Sequence, residues 1–460
     1  MEKKNKIRLP ARASLFYGAG IVISRLISVL TTPLFTRAMS EGEYGLYSYY
    51  ISILGIASML SGVFLTPAVF YSGLEKFSEK KDGFIKSAII LTSGINLVFC
   101  IVLFTFNQVF EVRKEFIVII LFQGILDAVI NSELLKSKFS YGYRRVLAIN
   151  LSSAILSVSL SLLLVISLDM GAMGRIIGLL LSAGMVSAVI LITKKSHGKS
   201  ENDERKFLIK NAIPLIPAVI SRAAISSMDK LTVKANLGVD ALAKYSVAHT
   251  VGTALFAIIG ALSSALNPWI VRKLSGGKRG EIFPIIGEIS VLIGWGTAAV
   301  ITLSPEIFSF LAPESYKDAI YVISPLALSS VPYFIFTVAM VFLGFSERTR
   351  IVSISAVLGA LVNLMLCLAL IPTVGYFGGG IAYLAAECAM TICVLILIRQ
   401  WDKNGTAALF GKWEVYFTFI FGGLMPFLYE YKAARILLLI LPICQGIRHG
   451  FTCLELVKEK

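Results

Sequence analysis

Charge is what this chain has least of. Only 15% of its 460 residues are Asp, Glu, Lys or Arg, while 56% are hydrophobic; soluble globular domains carry about a quarter charged residues. No soluble core absorbs such an excess, so the composition excludes an ordinary soluble domain and points to an integral membrane protein. Cysteine is scarce as well. The six cysteines (Cys100, Cys367, Cys388, Cys393, Cys444 and Cys453) lie in or beside apolar stretches with no metal-type spacing, and read as small apolar packing residues. The sequence has no phosphate-binding G-x-x-x-x-G-K-[ST] loop, no G-x-S-x-G elbow and no His/Cys ligand cluster. It therefore offers no support for ATP-driven or hydrolytic chemistry, and no catalytic residue, metal or organic cofactor is expected. The first apolar segment, from Ala13 to Phe35, is too long for the apolar region of a cleaved signal, and no small-residue cleavage site follows. It reads as a first spanning helix.

What the chain does have is a succession of apolar segments of about 20 residues, each long enough to cross a bilayer as a helix. They predict an all-α polytopic membrane protein with spans near 14–36, 45–69, 86–106, 116–134, 146–168, 175–193, 211–233, 244–268, 283–304, 318–344, 351–371, 377–398, 414–429 and 435–452. The formal charge of +15 is distributed unevenly between them. With the N-terminus inside, 31 of the 43 Lys and Arg fall on the inner side and 10 on the outer. That asymmetry follows the positive-inside rule and places both termini in the cytoplasm. It accounts for the basic balance without a nucleic-acid partner. "KKSHGKSENDERK" (Lys194 to Lys206) reads as a cytoplasmic linker. The outer connections are short, the longest running from Ser304 to Ala319, and leave no room for a soluble catalytic domain.

The tetrapeptide "VISR" occurs twice, at Val22–Arg25 and Val219–Arg222. Four letters repeat by chance, so other landmarks must share the offset. Tyr47-Ser48 and Tyr245-Ser246 open the second and eighth spans, and Pro67 and Pro268 close them. "RRVLAI" from Arg144 and "TRIVSI" from Thr349 open the fifth and eleventh, and the G-x-x-G turns Gly171–Gly174 and Gly375–Gly378 follow. The offset drifts from 197 to 205, as loop insertions would make it. The chain therefore reads as a duplication, with an N-lobe at 14–193, a linker at 194–210, a C-lobe at 211–398 and two appended helices at 414–452. Each lobe holds an even number of spans, so the two are parallel repeats around an axis along the membrane normal, an arrangement typical of transporters with a site near the midplane.

Arg25 and Arg222 fall near the centres of the first and seventh spans. A central arginine costs about 2.5–3.5 kcal/mol on insertion scales and must meet a partner or water. At about 100° per residue, Ser14, Gly18, Thr32 and Thr36 lie within about 20° of Arg25, with Ser28 about 60° away; Ser226 and Asp229 lie close to the Arg222 direction. Two such polar faces imply a central, water-filled cleft. A planar, permanently charged guanidinium suits an anion, and a diphosphate fits two of them. The competing reading pairs Arg222 with Asp229 structurally. Asp229-Lys230 is either a self-contained pair or a coupling or gating element; Glu387, mid-span in the twelfth helix and as costly as the arginines, is a further coupling or gating candidate. Asp127 and Glu133, in the inner half of the fourth span, read as interfacially paired acids, and His249 as a packing histidine.

Three stretches carry a family resemblance. "SRLISVLTTPLFTRAMSEGEYGLYSYY" (Ser24 to Tyr50), "MDKLTVKANLGVDALAKYSVA" (Met228 to Ala248) and "NLMLCLALIPTVGYFGGGIAYLAAE" (Asn363 to Glu387) resemble the polysaccharide-transporter family of O-antigen and capsule repeat-unit flippases. That family sits in the multidrug/oligosaccharidyl-lipid/polysaccharide exporter superfamily. The resemblance implies two six-helix lobes around a cationic cavity, with Arg25 and Arg222 as the matching cations and Ser28, Thr32 and Ser226 lining it. It implies a bacterial plasma-membrane flippase for undecaprenyl-diphosphate-linked oligosaccharide. Coupling to a proton or sodium gradient is implied, with Asp229, Lys230 and Glu387 as candidates, and a polysaccharide polymerase of the same pathway as a partner. "TPAVFYSG" (Thr66 to Gly73) lacks the basic residue of some relatives, which implies a less cationic cavity. An ion-coupled multidrug or small-solute antiporter of the same superfamily is the competing function, disfavoured by arginine rather than acid in the first helix. A membrane enzyme of envelope polysaccharide assembly is the competing class, disfavoured by the short loops.

Overall fold

The computed structural model describes residues 18, 20, 22–24, 26–193, 200–346, 348–399 and 413–458, and every regular element among them is helical. Eleven helices are long and apolar enough to cross a membrane, and Trp413–Leu428 is a shorter apolar one. The chain is a multi-pass membrane protein. The apolar stretch Asn202–Ser263 is broken within at Gly238 and so holds more than one helix. Part of the expected span 14–36, Arg25 included, lies outside the described residues.

The chain forms two compact units. The first comprises Met1–Thr31 and Ala38–Ser227, the second Thr32–Arg37 and Met228–Lys460. In the first unit, α1 (26–38) precedes α2 (Glu41–Ser61), α3 (Pro67–Lys76), α4 (Lys81–Thr105), α5 (Lys114–Phe139), α6 (Tyr143–Leu162), α7 (Gly171–Thr193) and α8 (Asn202–Ala212). Local chemistry sets the starts. Ser40 Oγ accepts from Glu43 N at 3.2 Å while Glu43 Oε2 accepts from Ser40 N at 3.0 Å, so two backbone amides at the head of α2 are satisfied by one side-chain pair. Pro67 occupies the first turn of α3, where its missing N–H costs nothing.

The segment 194–210 is not linker throughout. Residues 194–199 lie outside the described set, but Asn202 begins a helix that packs into the first unit. Leu208 and Ala212 join Phe70, Leu74 and Phe84 in one apolar cluster. Glu204, fully buried, accepts from Ser87 Oγ at 2.7 Å and from Glu201 N at 3.0 Å. Charged letters hid a helix whose acid is an internal cap.

The second unit takes over within α9 (Ile216–Gly252), which Gly238 breaks at φ 88°, a conformation that favours glycine. It continues through α10 (Ala254–Ser275), α11 (Ile282–Leu311), a 3-10 segment (Glu314–Val322), α12 (Ile323–Leu328), α13 (Ser330–Phe345), α14 (Thr349–Val374), α15 (Phe377–Arg399), α16 (Trp413–Leu424) and α17 (Lys432–Lys458). The last helix is docked by polar clasps on α11. Arg435 donates to Glu306 twice, at 2.8 and 3.0 Å, and to Thr302 O at 2.9 Å, and His449 Nδ1 lies 2.7 Å from Glu288 Oε2. Thr36 and Arg37, at the end of α1, donate to Leu311 O and Phe310 O at the end of α11. The paired G-x-x-G turns share a left-handed glycine: Gly171 opens α7 at φ 49°, and Gly375 stands just before α15 at φ 70°.

Candidate functional site

The sequence candidates fall in three places. Arg25 lies outside the described residues. Arg222 sits on the first part of α9, half-buried in the first unit, six residues from Ile216. Its neighbours make a short polar patch. Ser221 Oγ donates to Pro217 O at 2.7 Å, and Ser226 Oγ donates to Ala223 O at 3.0 Å and lies 3.6 Å from Met59 Sδ. Ser28 is exposed, whereas Thr32 is buried and closed off by packing. Thr36, on the same helical face, gives its hydroxyl to Leu311 O at 2.8 Å. The polar stripe of the first helix is thus accessible at Ser28 and internal at its far end.

The second place is a buried polar centre in the second unit, built on Asp229. That carboxylate is 0% exposed. Tyr245 donates its hydroxyl to Oδ2 at 2.5 Å, Lys230 N donates to Oδ1 at 2.8 Å, and His249 Nε2 lies 3.8 Å from Oδ2. The backbone of Lys230 is thus one of the donors to Asp229. Gly238 makes this possible: by turning α9 back it sets the helix carrying Tyr245 and His249 beside the one carrying Asp229. Aromatic rings seal the site, with Tyr383 edge-on to His249 at 5.7 Å and Phe256 6.2 Å from Tyr383. Two donors on one carboxylate in a dry site are worth more than in water, since the unpaired group is so costly there.

The third candidate, Glu387, is fully buried on α15, four residues on from Tyr383 and so on the same helical face. Sequence reading missed Tyr245 and Tyr383 as site residues and took His249 for packing. The pair Asp229/Tyr245 is 16 residues apart, a separation that carries no signal until the hairpin at Gly238 is known. A cavity of about 660 Å³ lies elsewhere in this unit, lined by Asp318, Tyr321, Tyr376, Phe377 and Phe427 among others. It contains none of the expected site residues. Among the described residues no group of three His, Cys, Asp or Glu is placed to hold a metal.

Apolar helices in two units, each carrying costly polar groups within its spans, define a polytopic membrane protein. Solved structures share the fold. One described as the lipid II flippase MurJ in an inward closed conformation matches with TM-score 0.67 at 16% identity, over 94% of this chain and 97% of that one. An inward-facing multidrug resistance MATE-family transporter of the MOP superfamily matches with TM-score 0.61 at 12% identity, over 87% and 96%. A MOP-superfamily transporter from Pyrococcus furiosus, whose binding pocket is described as reversed in polarity, matches with TM-score 0.61 at 14% identity, over 87% and 96%. None of the curated proteins matches the chain in sequence. Residues 11–273 match the model of one family, described as "Polysaccharide biosynthesis protein", and the chain belongs to it.

Proposed function

We propose that this protein is a flippase of the bacterial plasma membrane, moving undecaprenyl-diphosphate-linked oligosaccharide repeat units from the cytoplasmic to the outer leaflet for surface polysaccharide. The observation that carries the reading is the family match over more than half the chain, joined to a half-buried Arg222 within an apolar helix. Arg25 and Arg222 hold the diphosphate, each guanidinium offering a two-pronged donor to phosphate oxygens. Ser28, Thr32 and Ser226 contact sugar or diphosphate as the site opens. Exposure alternates between the two faces with no covalent step, so the protein is a transporter rather than an enzyme. Both termini are cytoplasmic, in keeping with the inner excess of Lys and Arg. The cycle draws on a proton or sodium gradient through Asp229, with Lys230 and Glu387 as gating partners, because a ligand shifts a two-state equilibrium only through different affinities for the two states. The lobes 14–193 and 211–398 are the moving bodies, and a polymerase of the same pathway takes the product.

The test uses cells that depend on this chain for surface polymer. Arg222→Ala is expected to lower transport about 10- to 100-fold, the 1.5–3 kcal/mol of a charge-assisted hydrogen bond, with membrane levels unchanged. Arg222→Lys is expected to retain part of the activity, since it keeps the charge and loses the fork. An Arg25→Ala/Arg222→Ala double variant is expected to make no surface polymer; normal polymer from it overturns the diphosphate grip. Extrusion of cationic dyes, undiminished in that variant, would instead favour the antiporter.

A further inference from the structure

The first unit holds an acid that the proposed function leaves unused. Asp127 stands 13 residues from Lys114 and 12 from Phe139, the two ends of α5. At 1.5 Å per residue it is about 20 Å from either end, in the middle of the span. The next acid on the same helix, Glu133, is matched by Arg145, whose Nε lies at 2.7 Å. Asp127 has no such partner among the described residues. Its one side-chain hydrogen bond there is with Gln123, one turn earlier, whose Nε2 donates to Oδ1 at 3.0 Å.

The helices around it bring further unmatched oxygens. Tyr50 on α2 is 0% exposed, Thr92 on α4 is 2% exposed, Asn96 on α4 is 0% exposed and Gln123 is 6% exposed. The Tyr50 hydroxyl, Thr92 Oγ1, Asn96 Oδ1 and Gln123 Oε1 are all buried without a hydrogen-bond partner among the described residues. The three helices meet here. Asn96 Nδ2 donates to Ile120 O and Leu121 O of α5, and Gly124, beside Gln123, passes so close that an added Cβ would lie 2.3 Å from Asn96 Nδ2. The Tyr50 hydroxyl is within electrostatic reach of the Asp127 carboxylate. Buried polar atoms are nearly always paired, so orphaned oxygens on the helices packed against α5 call for an explanation.

Charge points to one. A bare carboxylate within a span is costly, and Asp127, half-buried near the middle of its helix, has no ion pair among the described residues. Four charged or titratable groups on the helices packed against α5 have partners of their own. Arg145 from α6 is on Glu133, Asp82 from α4 is 3.5 Å from Lys136, Arg175 from α7 lies 3.7 Å over the Tyr47 ring, and Cys100 from α4 donates to Ile117 O. From α7, Ser187 donates its hydroxyl to Leu126 O. The partner chosen for Asp127 is an amide, which offers a donor and an acceptor side by side. A protonated carboxyl offers the complementary acceptor and donor, whereas a carboxylate leaves Gln123 Oε1 unmatched.

We propose that Asp127 is a proton-binding site at the centre of the first unit, held as the neutral acid against Gln123. Its use in coupling rests on the transport reading above; proton binding itself does not. The test is infrared difference spectroscopy of the full chain in lipid nanodiscs, titrated in pH with and without sodium chloride. The wild type is expected to show the carbonyl band of a protonated carboxyl that is absent from Asp127→Asn, present in Asp229→Asn and insensitive to sodium. An unchanged band in Asp127→Asn overturns the site, and its loss on adding sodium at fixed pH overturns the proton in favour of a metal cation. Should Asp127→Asn fail to assemble, Asp127→Glu must shift the band, and an unshifted band overturns the proposal. In proteoliposomes carrying a polyprenyl-diphosphate oligosaccharide, Asp127→Asn is expected to lose at least tenfold of the stimulation by a pH gradient. Absence of any lipid transport by the wild type would count against the flippase reading and leave the infrared result standing.

Discussion

Tyr50 and Tyr245 are both fully buried tyrosines in apolar helices, and their hydroxyls meet opposite fates. Tyr245, in the second unit, donates to Asp229 at 2.5 Å. Tyr50, in the first, has no partner among the described residues although an acid lies within electrostatic reach. The second centre is closed: Asp229 receives a hydroxyl and a backbone amide, with an imidazole 3.8 Å away. The first centre is open, with an acid on a single amide and four oxygens unmatched. A closed centre holds its geometry and resists change, while an open one is poised to gain a proton or water. The two units thus differ in how their acids are held, Asp229 fully buried and Asp127 half-buried.

The same difference explains what the sequence showed and what it hid. Apolar segments and G-x-x-G turns are local, so the expected spans 351–371 and 377–398 agree closely with Thr349–Val374 and Phe377–Arg399. The spans 211–233 and 244–268 fared less well, because one glycine makes the whole turn and Asp240 and Lys244 remain helical beyond it. Asp229 was legible as an acid near the outer end of its span, close to the Arg222 direction. Its partners were not, because only the fold decides which hydroxyl 16 residues away faces it. Asp127 and Glu133 read together as paired acids in the inner half of the fourth span. Glu133 has its arginine, whereas Asp127, near the middle of the helix Lys114–Phe139, has an amide.

The strongest way to break the contrast is to remove the acid of the closed centre. Asp229→Ala leaves the Tyr245 hydroxyl buried without its acceptor, costing roughly 1–3 kcal/mol, and takes a second acceptor from the Lys230 amide. A large fall in the melting temperature of the purified protein is expected. Asp127→Ala strands only one amide donor and is expected to cost less. Equal losses from the two substitutions would mean the first centre is as fully bonded as the second.

Tyr245→Phe is the next largest. It keeps the ring packed at 6.0 Å from His249 and takes one donor from the carboxylate. The expected loss is about 1.5–3 kcal/mol, the range for a hydrogen bond to a charged group, read as a lower thermal midpoint in the same detergent. A change within error would show that Asp229 draws its support from His249 and the backbone instead.

Tyr50→Phe should have the smallest effect, and it sharpens the comparison because the chemical change is identical. Removing a buried hydroxyl that bonds nothing relieves a desolvation penalty, and replacing it with an apolar atom of the same shape is close to neutral or stabilising. The ring contact with Phe116, at 5.5 Å, is retained. The expected outcome is therefore a thermal midpoint equal to or slightly above that of the wild type. The same variant should still show the protonated-carboxyl band of Asp127, since the amide of Gln123 supplies the complementary pair. A loss comparable to that of Tyr245→Phe would mean that the Tyr50 hydroxyl is bonded in the membrane, through a bound water or to Asp127 itself. The first centre would then be closed like the second, and the case for a proton site at Asp127 would lose its orphaned oxygens.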